Sequence, residues 1–199
     1  CLGYRSSTTT SPFVIRYNKN TKMKNLPITA IIITHRAGQL FQQALQSVNW
    51  ADEIIVIDNR AFLDPNQLTK NENVTYRTIS TPITDFAAVR NQAMAEAKHN
   101  WVFFLDSDEK FPVDQLPQIA ELTVNNNFSG ALCFRSDVFY GKKLSYGEAG
   151  HQPIIRFLKK GKAKFVGEVH EIAQVGGEIK HLHLEILHFA HPNISEFVN

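Results

Sequence analysis

The sequence predicts an α/β protein: a mostly parallel central sheet flanked by helices, followed by a β-rich C-terminal part. Three observations predict it. Short apolar runs alternate with helix-period segments through residue 125, each run ends on polar residues, and beyond residue 130 strand-like runs follow one another with glycine punctuation. A chain of 199 residues, 43% hydrophobic and 20% charged, suffices for one domain with a sizeable core and excludes disordered, collagen-like and coiled-coil classes.

The elements follow in order. Ile28–Thr34 is a short β-branched run and reads as a buried strand. From Gly38 to Asn49, Leu40, Phe41, Ala44, Leu45 and Val48 recur on one helix face. Glu53–Asp58 is a second buried strand, and Asn73–Thr78 alternates as a strand nearer the edge. Thr84 is placed to cap a helix reaching about His99, with Phe86, Ala87, Val89, Ala93, Met94 and Ala97 inside. Trp101–Leu105 is the next buried strand, and Val113–Asn125 a helix that Pro117 shortens or kinks. Gly130–Tyr140, Ile154–Leu158, Lys164–Val169 and Glu178–His188 read as strands that add a mixed edge.

Charge is unevenly spread. Residues 1–24 hold Arg5, Arg16, Lys19, Lys22 and Lys24 without an acid, which leaves residues 25–199 at a net of −3. The first segment reads as a flexible basic extension, and the mildly acidic body argues against a nucleic-acid partner. The run Ile28–Ile33 is far too short to span a bilayer, so only a peripheral membrane contact stays open. Cys1 and Cys133 do not make a disulfide framework, which fits a reducing compartment.

The chemistry gathers where apolar runs stop. Thr34-His35-Arg36, Asp58-Asn59-Arg60 and Asp106-Ser107-Asp108 end three strands, and in open α/β sheets ligands sit at the carboxyl ends of strands. On an extended chain Asp106 and Asp108 point the same way, and two such carboxylates call for a cation or for donors. A turn whose aspartates cap the next helix is the alternative. Arg90 is either a phosphate contact or a solvated helix residue. In VGEVHEI, an extended backbone puts Glu168 and His170 on one face and Glu171 on the other. His181, His183, His188 and His191 are surface or core histidines by their spacing, with His188 the best placed to do more.

The segments ITAIIITHRAGQLFQQALQSVNWADEIIVIDN and DFAAVRNQAMAEAKHNWVFFLDSDE resemble glycosyltransferase family 2, with its GT-A (Rossmann-like) fold. The later IIRFLKKGKAKFVGEVHE and EILHFAHPNISEF resemble the lipopolysaccharide-core β-1,4-glucosyltransferase group, so the likeness spans residues 28–197. Residues 25–199 are then one GT-A domain, expected to be cut short at its C terminus because relatives continue with further helices.

The resemblance implies roles residue by residue. Thr34 and Asp58 match the positions that hold the base and ribose, with His35 and Arg36 beside them, and Arg90 matches a basic residue near the diphosphate. Asp106 and Asp108 match the Asp-x-Asp pair, which binds a nucleotide and a divalent metal (Mg²⁺ or Mn²⁺). His170 or His188 completes the metal shell, and Glu171, ahead of Glu168, matches the catalytic base. Two stretches depart from the family pattern: His35-Arg36 replaces the usual Asn-Glu, and Asn59-Arg60-Ala61-Phe62 replaces a Gly-Ser-Thr-Asp stretch.

The function implied is inverting, metal-dependent transfer of a sugar, first glucose from UDP, to a hydroxyl of a glycan or lipid-linked glycan in cell-envelope polysaccharide synthesis. The implied place is the cytoplasm, with the inner membrane face as a peripheral site. The rivals are a nucleotidyltransferase on a similar sheet and a non-catalytic nucleotide- or sugar-binding module.

Overall fold

The computed structural model describes residues 25–35, 38–59, 63–64, 72–125, 127–145, 150–167 and 171–191. The expectations for the basic extension, Arg36, Glu168 and His170 lie outside these residues.

Four parallel strands come first: β1 (Leu26–Thr34), β2 (Ala51–Asn59), β3 (Val74–Ile79) and β4 (Trp101–Asp106), side by side in the order β3-β2-β1-β4. The sheet continues with the antiparallel β8 (Gln152–Lys159), then β6 (Phe128–Phe139), then β11 (Glu178–His191) parallel to β6. Short β5 (Glu109–Lys110) closes on β11 and β7 (Lys142–Lys143) on β6. A separate hairpin pairs β9 (Ala163–Val166) with β10 (Ile172–Val175). The sheet is thus parallel at one edge and mixed at the other, as the two kinds of run predict.

Alternation along the strands sends side chains to opposite faces, and each face carries a core. On one, Ile28, Ala30 and Ile32 of β1 and Phe103 and Leu105 of β4 pack with Phe41, Ala44 and Leu45 of α1 (Gln39–Ser47). Leu116, Ile119 and Leu122 of α3 (Leu116–Val124) join the same layer. On the other, Ile31, Val102 and Phe104 pack with Ala87, Ala93 and Met94 of α2 (Phe86–Glu96) and with Phe165 of the hairpin.

Helix limits correct three expectations. Asp85, not Thr84, caps α2, its carboxylate accepting the Ala88 N–H at 2.8 Å. The helix ends at Glu96, with Ala97 already extended, and does not reach His99. The third helix starts at Leu116 rather than Val113, the shortening expected of Pro117 and not a kink: residues 113–115 form a 3₁₀ turn and the proline sits in the first α-helical turn, where its missing N–H costs nothing. Arg90 joins Ala87, Ala93 and Met94 on the buried side of α2, so the solvated reading of it is wrong.

The aromatic centre of the first core is Phe103. It is fully buried and meets Phe157 at 4.5 Å, Phe111 at 5.5 Å and Trp50 at 5.7 Å between ring centroids. Phe103→Ala is expected to lose about 3–5 kcal/mol of stability, read as a lower urea midpoint at unchanged slope. Cys133 is buried on β6, and burial pushes its thiol up to about 12. Iodoacetamide at pH 8 should therefore leave Cys133 unmodified in the folded protein and label it on unfolding, as peptide mass mapping would show.

Candidate active site

Strand register builds one rim. Thr34 lies opposite Asp58 across β1 and β2, and Ile33 lies opposite Asp106 across β1 and β4. The three polar run ends therefore meet at one edge of the parallel half, as the sequence predicts. A cleft of about 320 Å³ opens there. Its walls include Thr34, His35, Asn59, Arg90, Asp106 and Asp108, and it is completed by Glu171 and His188 from the C-terminal half.

Asp58 is fully buried behind this rim. Its Oδ2 accepts the Leu63 N–H at 2.8 Å and the Tyr76 hydroxyl at 2.7 Å. Among the described residues its Oδ1 and the Oδ1 of Asn59 are buried acceptors without a partner. Such groups are costly to keep in a folded protein and mark places where a donor is wanted.

The centre of the site is a chain of alternating charges. Arg90 donates from Nε to Glu171 Oε1 at 2.8 Å and from a terminal nitrogen to Asp106 Oδ1 at 3.0 Å. Arg156 donates to Asp106 Oδ2 at 2.6 Å and to Glu109 Oε1. The second Glu109 oxygen accepts the Asp106 N–H at 3.0 Å. Both arginines are largely buried, and the Arg90 guanidinium lies 5.5 Å from the centroids of both Phe104 and Phe165, which pack edge to face on each other.

Burial alone would raise the Asp106 carboxyl. The Arg156 and Arg90 guanidiniums outweigh it and hold Asp106 well below the usual carboxylate range. Glu109 goes the other way: deep burial, aided by the Asp106 charge, pushes its carboxyl up against the pull of Arg156.

The two aspartates of Asp-Ser-Asp do not act as a side-by-side pair. Asp106 is the last residue of β4 and the chain then turns, so the extended spacing that would align them ends there. Both Asp106 oxygens accept from guanidiniums, whereas Asp108 is more open and faces His188, with Nε2 3.6 Å from its Oδ2. His188 Nδ1 lies 2.7 Å from Asp137 Oδ1. Burial opposes a charge on His188, but the neighbouring Asp108 and Asp137 carboxylates raise its pKa above the ordinary value.

Among the described residues no three His, Cys, Asp or Glu side chains converge as a metal cage. A hard divalent ion does not require one, since it completes its shell with water and substrate phosphate oxygens. Asp108 and His188 fit that arrangement. Asp106, neutralised by two guanidiniums, does not.

A second cleft, about 640 Å³, lies on the other side of Arg90, Asp106 and Glu171. Arg135 and Arg156 line it beside an aliphatic wall that includes Leu132, Ile154 and Ile155. Glu171 directly precedes β10 and is held to the boundary between the clefts by Arg90. The hairpin bearing it is fastened to α2 by Asn91, whose side-chain amide bonds the Phe165 carbonyl at 2.9 Å and the Phe165 N–H at 2.8 Å.

The sequence reading missed Arg156, Glu109, Asp137 and Arg135. Arg156 carried a signal: a lone charge inside the apolar run IIRFL must be paired if the strand is buried. Asp137 carried none, because its partner is 51 residues away.

The family model described as Glycosyl transferase family 2 matches residues 29–175. The chain belongs to glycosyltransferase family 2. Among curated proteins it is similar to the SPbeta prophage-derived glycosyltransferase SunS of Bacillus subtilis (strain 168). The two are 27% identical over 149 residues, covering 72% of this chain and 34% of that protein. Glycosyltransferase SunS of Bacillus phage SPbeta matches equally. The chain thus spans about a third of the length of these curated relatives. Among solved structures, residues 1–349 of S. aureus TarS superpose with a TM-score of 0.57 at 15% identity, covering 85% of this chain and 61% of that one. That likeness supports the GT-A fold.

Removing Arg156 would leave buried Glu109 with only the more distant Arg135, at 3.8 Å, as a cation. Arg156→Met is expected to cost about 3–5 kcal/mol in chemical denaturation, with Arg156→Lys losing less.

Proposed function

We propose that the chain transfers a sugar from a nucleotide-diphosphate donor to a hydroxyl of a glycan or lipid-linked glycan, with inversion at the anomeric carbon. The observation that carries this reading is the position of Glu171, on the wall shared by two clefts. A general base for glycosyl transfer belongs at such a boundary, with donor on one side and acceptor on the other.

The donor occupies the cleft at the sheet rim. Base and ribose lie toward Thr34, His35 and Asn59, whose orphaned Oδ1 suits a ring N–H or hydroxyl donor, with Asp58 buried behind them. Arg90 faces the diphosphate; its two bonds to carboxylates use two of the five N–H donors of a guanidinium. Asp108 and His188 hold a divalent cation, which supplies charge neutralisation for the departing diphosphate. Asp106 serves this site by fixing Arg90 rather than by ligating metal.

The acceptor occupies the second cleft. Its hydroxyl gives its proton to Glu171 and forms a bond to the anomeric carbon, from the face opposite the diphosphate. The bond from that carbon to the phosphate oxygen breaks, and Arg90 stabilises the charge that develops. No covalent enzyme intermediate is required. The aliphatic wall at Leu132, Ile154 and Ile155 favours an acceptor with an apolar portion, in keeping with a lipid-linked glycan. Within the family we assign the chain to the lipopolysaccharide-core β-1,4-glucosyltransferase group, with UDP-glucose as first donor, on the tail segments quoted above.

The test is UDP binding by calorimetry with and without Mn²⁺, followed by a donor-sugar screen. Binding is expected to strengthen with Mn²⁺ in the wild type and to lose that gain in Asp108→Ala. Glu171→Gln should keep UDP affinity within about twofold while kcat falls by about 10²–10⁴. Release of pyrophosphate would instead identify a nucleotidyltransferase. UDP binding indifferent to Asp108→Ala and to Glu171→Ala, without turnover, would identify a binding module.

A further inference from the structure

Three elements converge beside Asp108 in a way that the proposed chemistry does not use. Asp137 of β6 and His188 of β11 are register partners across a parallel pair. His188 also lies opposite Glu109 of β5, and the Phe189 N–H bonds the Asp108 carbonyl at 2.8 Å. Strand pairing therefore sets Asp137 and His188, and the Phe189 bond ties the turn that carries Asp108 to the same strand.

The geometry points to Asp137 as a positioning residue: it holds His188 in the tautomer whose Nε2 is turned to Asp108, so that the two can grip one divalent cation. This rests on the reading of Asp108 and His188 as cation ligands. An imidazole has one N–H when neutral, and the 2.7 Å contact of Nδ1 with a carboxylate places that N–H on Nδ1. The Nε2 lone pair then faces a carboxylate oxygen 3.6 Å away. With a second proton the ring can donate to Asp108 as well; neutral, it leaves two acceptors facing each other. In the neutral ring a cation takes the place of that proton, and neighbouring ligands of a small octahedral ion stand about 3 Å apart. An outer carboxylate on the far nitrogen is the usual means of orienting such a histidine.

The competing account is a cross-strand clamp that stabilises β6 against β11 and nothing more. Three readouts separate the two: Mn²⁺ binding followed by electron paramagnetic resonance with UDP present, thermal unfolding, and the ¹⁵N shifts of His188 in the metal-free protein at pH 8.5.

Asp137→Ala is expected to weaken Mn²⁺ binding by about 10–100-fold and to move the His188 proton toward Nε2. Asp137→Asn keeps an acceptor and should lose less. A lowered melting temperature with unchanged Mn²⁺ affinity would establish the clamp and overturn the proposal. So would a wild-type His188 carrying its proton on Nε2, a result that stands even where Asp137→Ala does not fold. Wild-type protein that binds UDP but no Mn²⁺ would overturn the metal reading itself, and the role of Asp137 with it. A wild-type protein that binds Mn²⁺ indifferently to both Asp137 variants would overturn this proposal alone.

Discussion

Two guanidiniums taken out of water govern the arrangement of this molecule. Arg90 and Arg156 are both more than nine-tenths buried, and a buried cation is tolerated only with carboxylates in good geometry around it. The solution is an alternating series, Glu109–Arg156–Asp106–Arg90–Glu171, in which each arginine bridges two acids. Arg135, 3.8 Å from Glu109, offsets the surplus negative charge at the far end. The five members come from β5, β8, β4, α2 and the residue before β10. The same ion pairs that make burial bearable therefore lock the parallel half of the sheet to the mixed half.

That lock has a functional consequence. Glu171 belongs to the C-terminal half, yet its position depends on Arg90 from the N-terminal half, which in turn is held by Asp106 at the end of β4. The Asn91 bonds to Phe165 and the two adjacent rings make Arg90 part of a rigid unit of helix and hairpin. Glu171 lies outside the strands, and its ion pair with Arg90 is what holds it between the two clefts; such preorganisation is the condition for electrostatic catalysis.

The parallel half was largely legible. Three of its four strands, β1, β2 and β4, are buried on both faces and read as nearly continuous apolar runs, so Ile28–Thr34, Glu53–Asp58 and Trp101–Leu105 lie within a few residues of the observed limits. The meeting of Thr34, Asp58 and Asp106 at one rim follows from parallel register alone. The mixed half was less legible. The strand Ile172–Val175 alternates too weakly in polarity to be noticed, and β5 and β7 consist of two residues each. Arg156 and Asp137 owe their importance to partners 50 and 51 residues away, and no local pattern encodes such distances. Glu171 was reached only through resemblance to a family, whereas its bond to Arg90 is a purely tertiary fact.

The Asp-Ser-Asp segment shows how environment divides two chemically identical groups. Spacing alone makes Asp106 and Asp108 equivalent, and on a continuing strand they would share one cation. The strand stops at Asp106, so one carboxylate stays with the sheet and the other leaves with the turn. Asp106 is saturated by two guanidiniums and held ionised, which makes it an anchor with little left to offer a metal. Asp108 pairs with no arginine among the described residues and faces the His188 imidazole at 3.6 Å. Environment assigns distinct work to paired carboxylates wherever their surroundings differ this much. In this chain the difference originates in where β4 ends and which strand lies beside it.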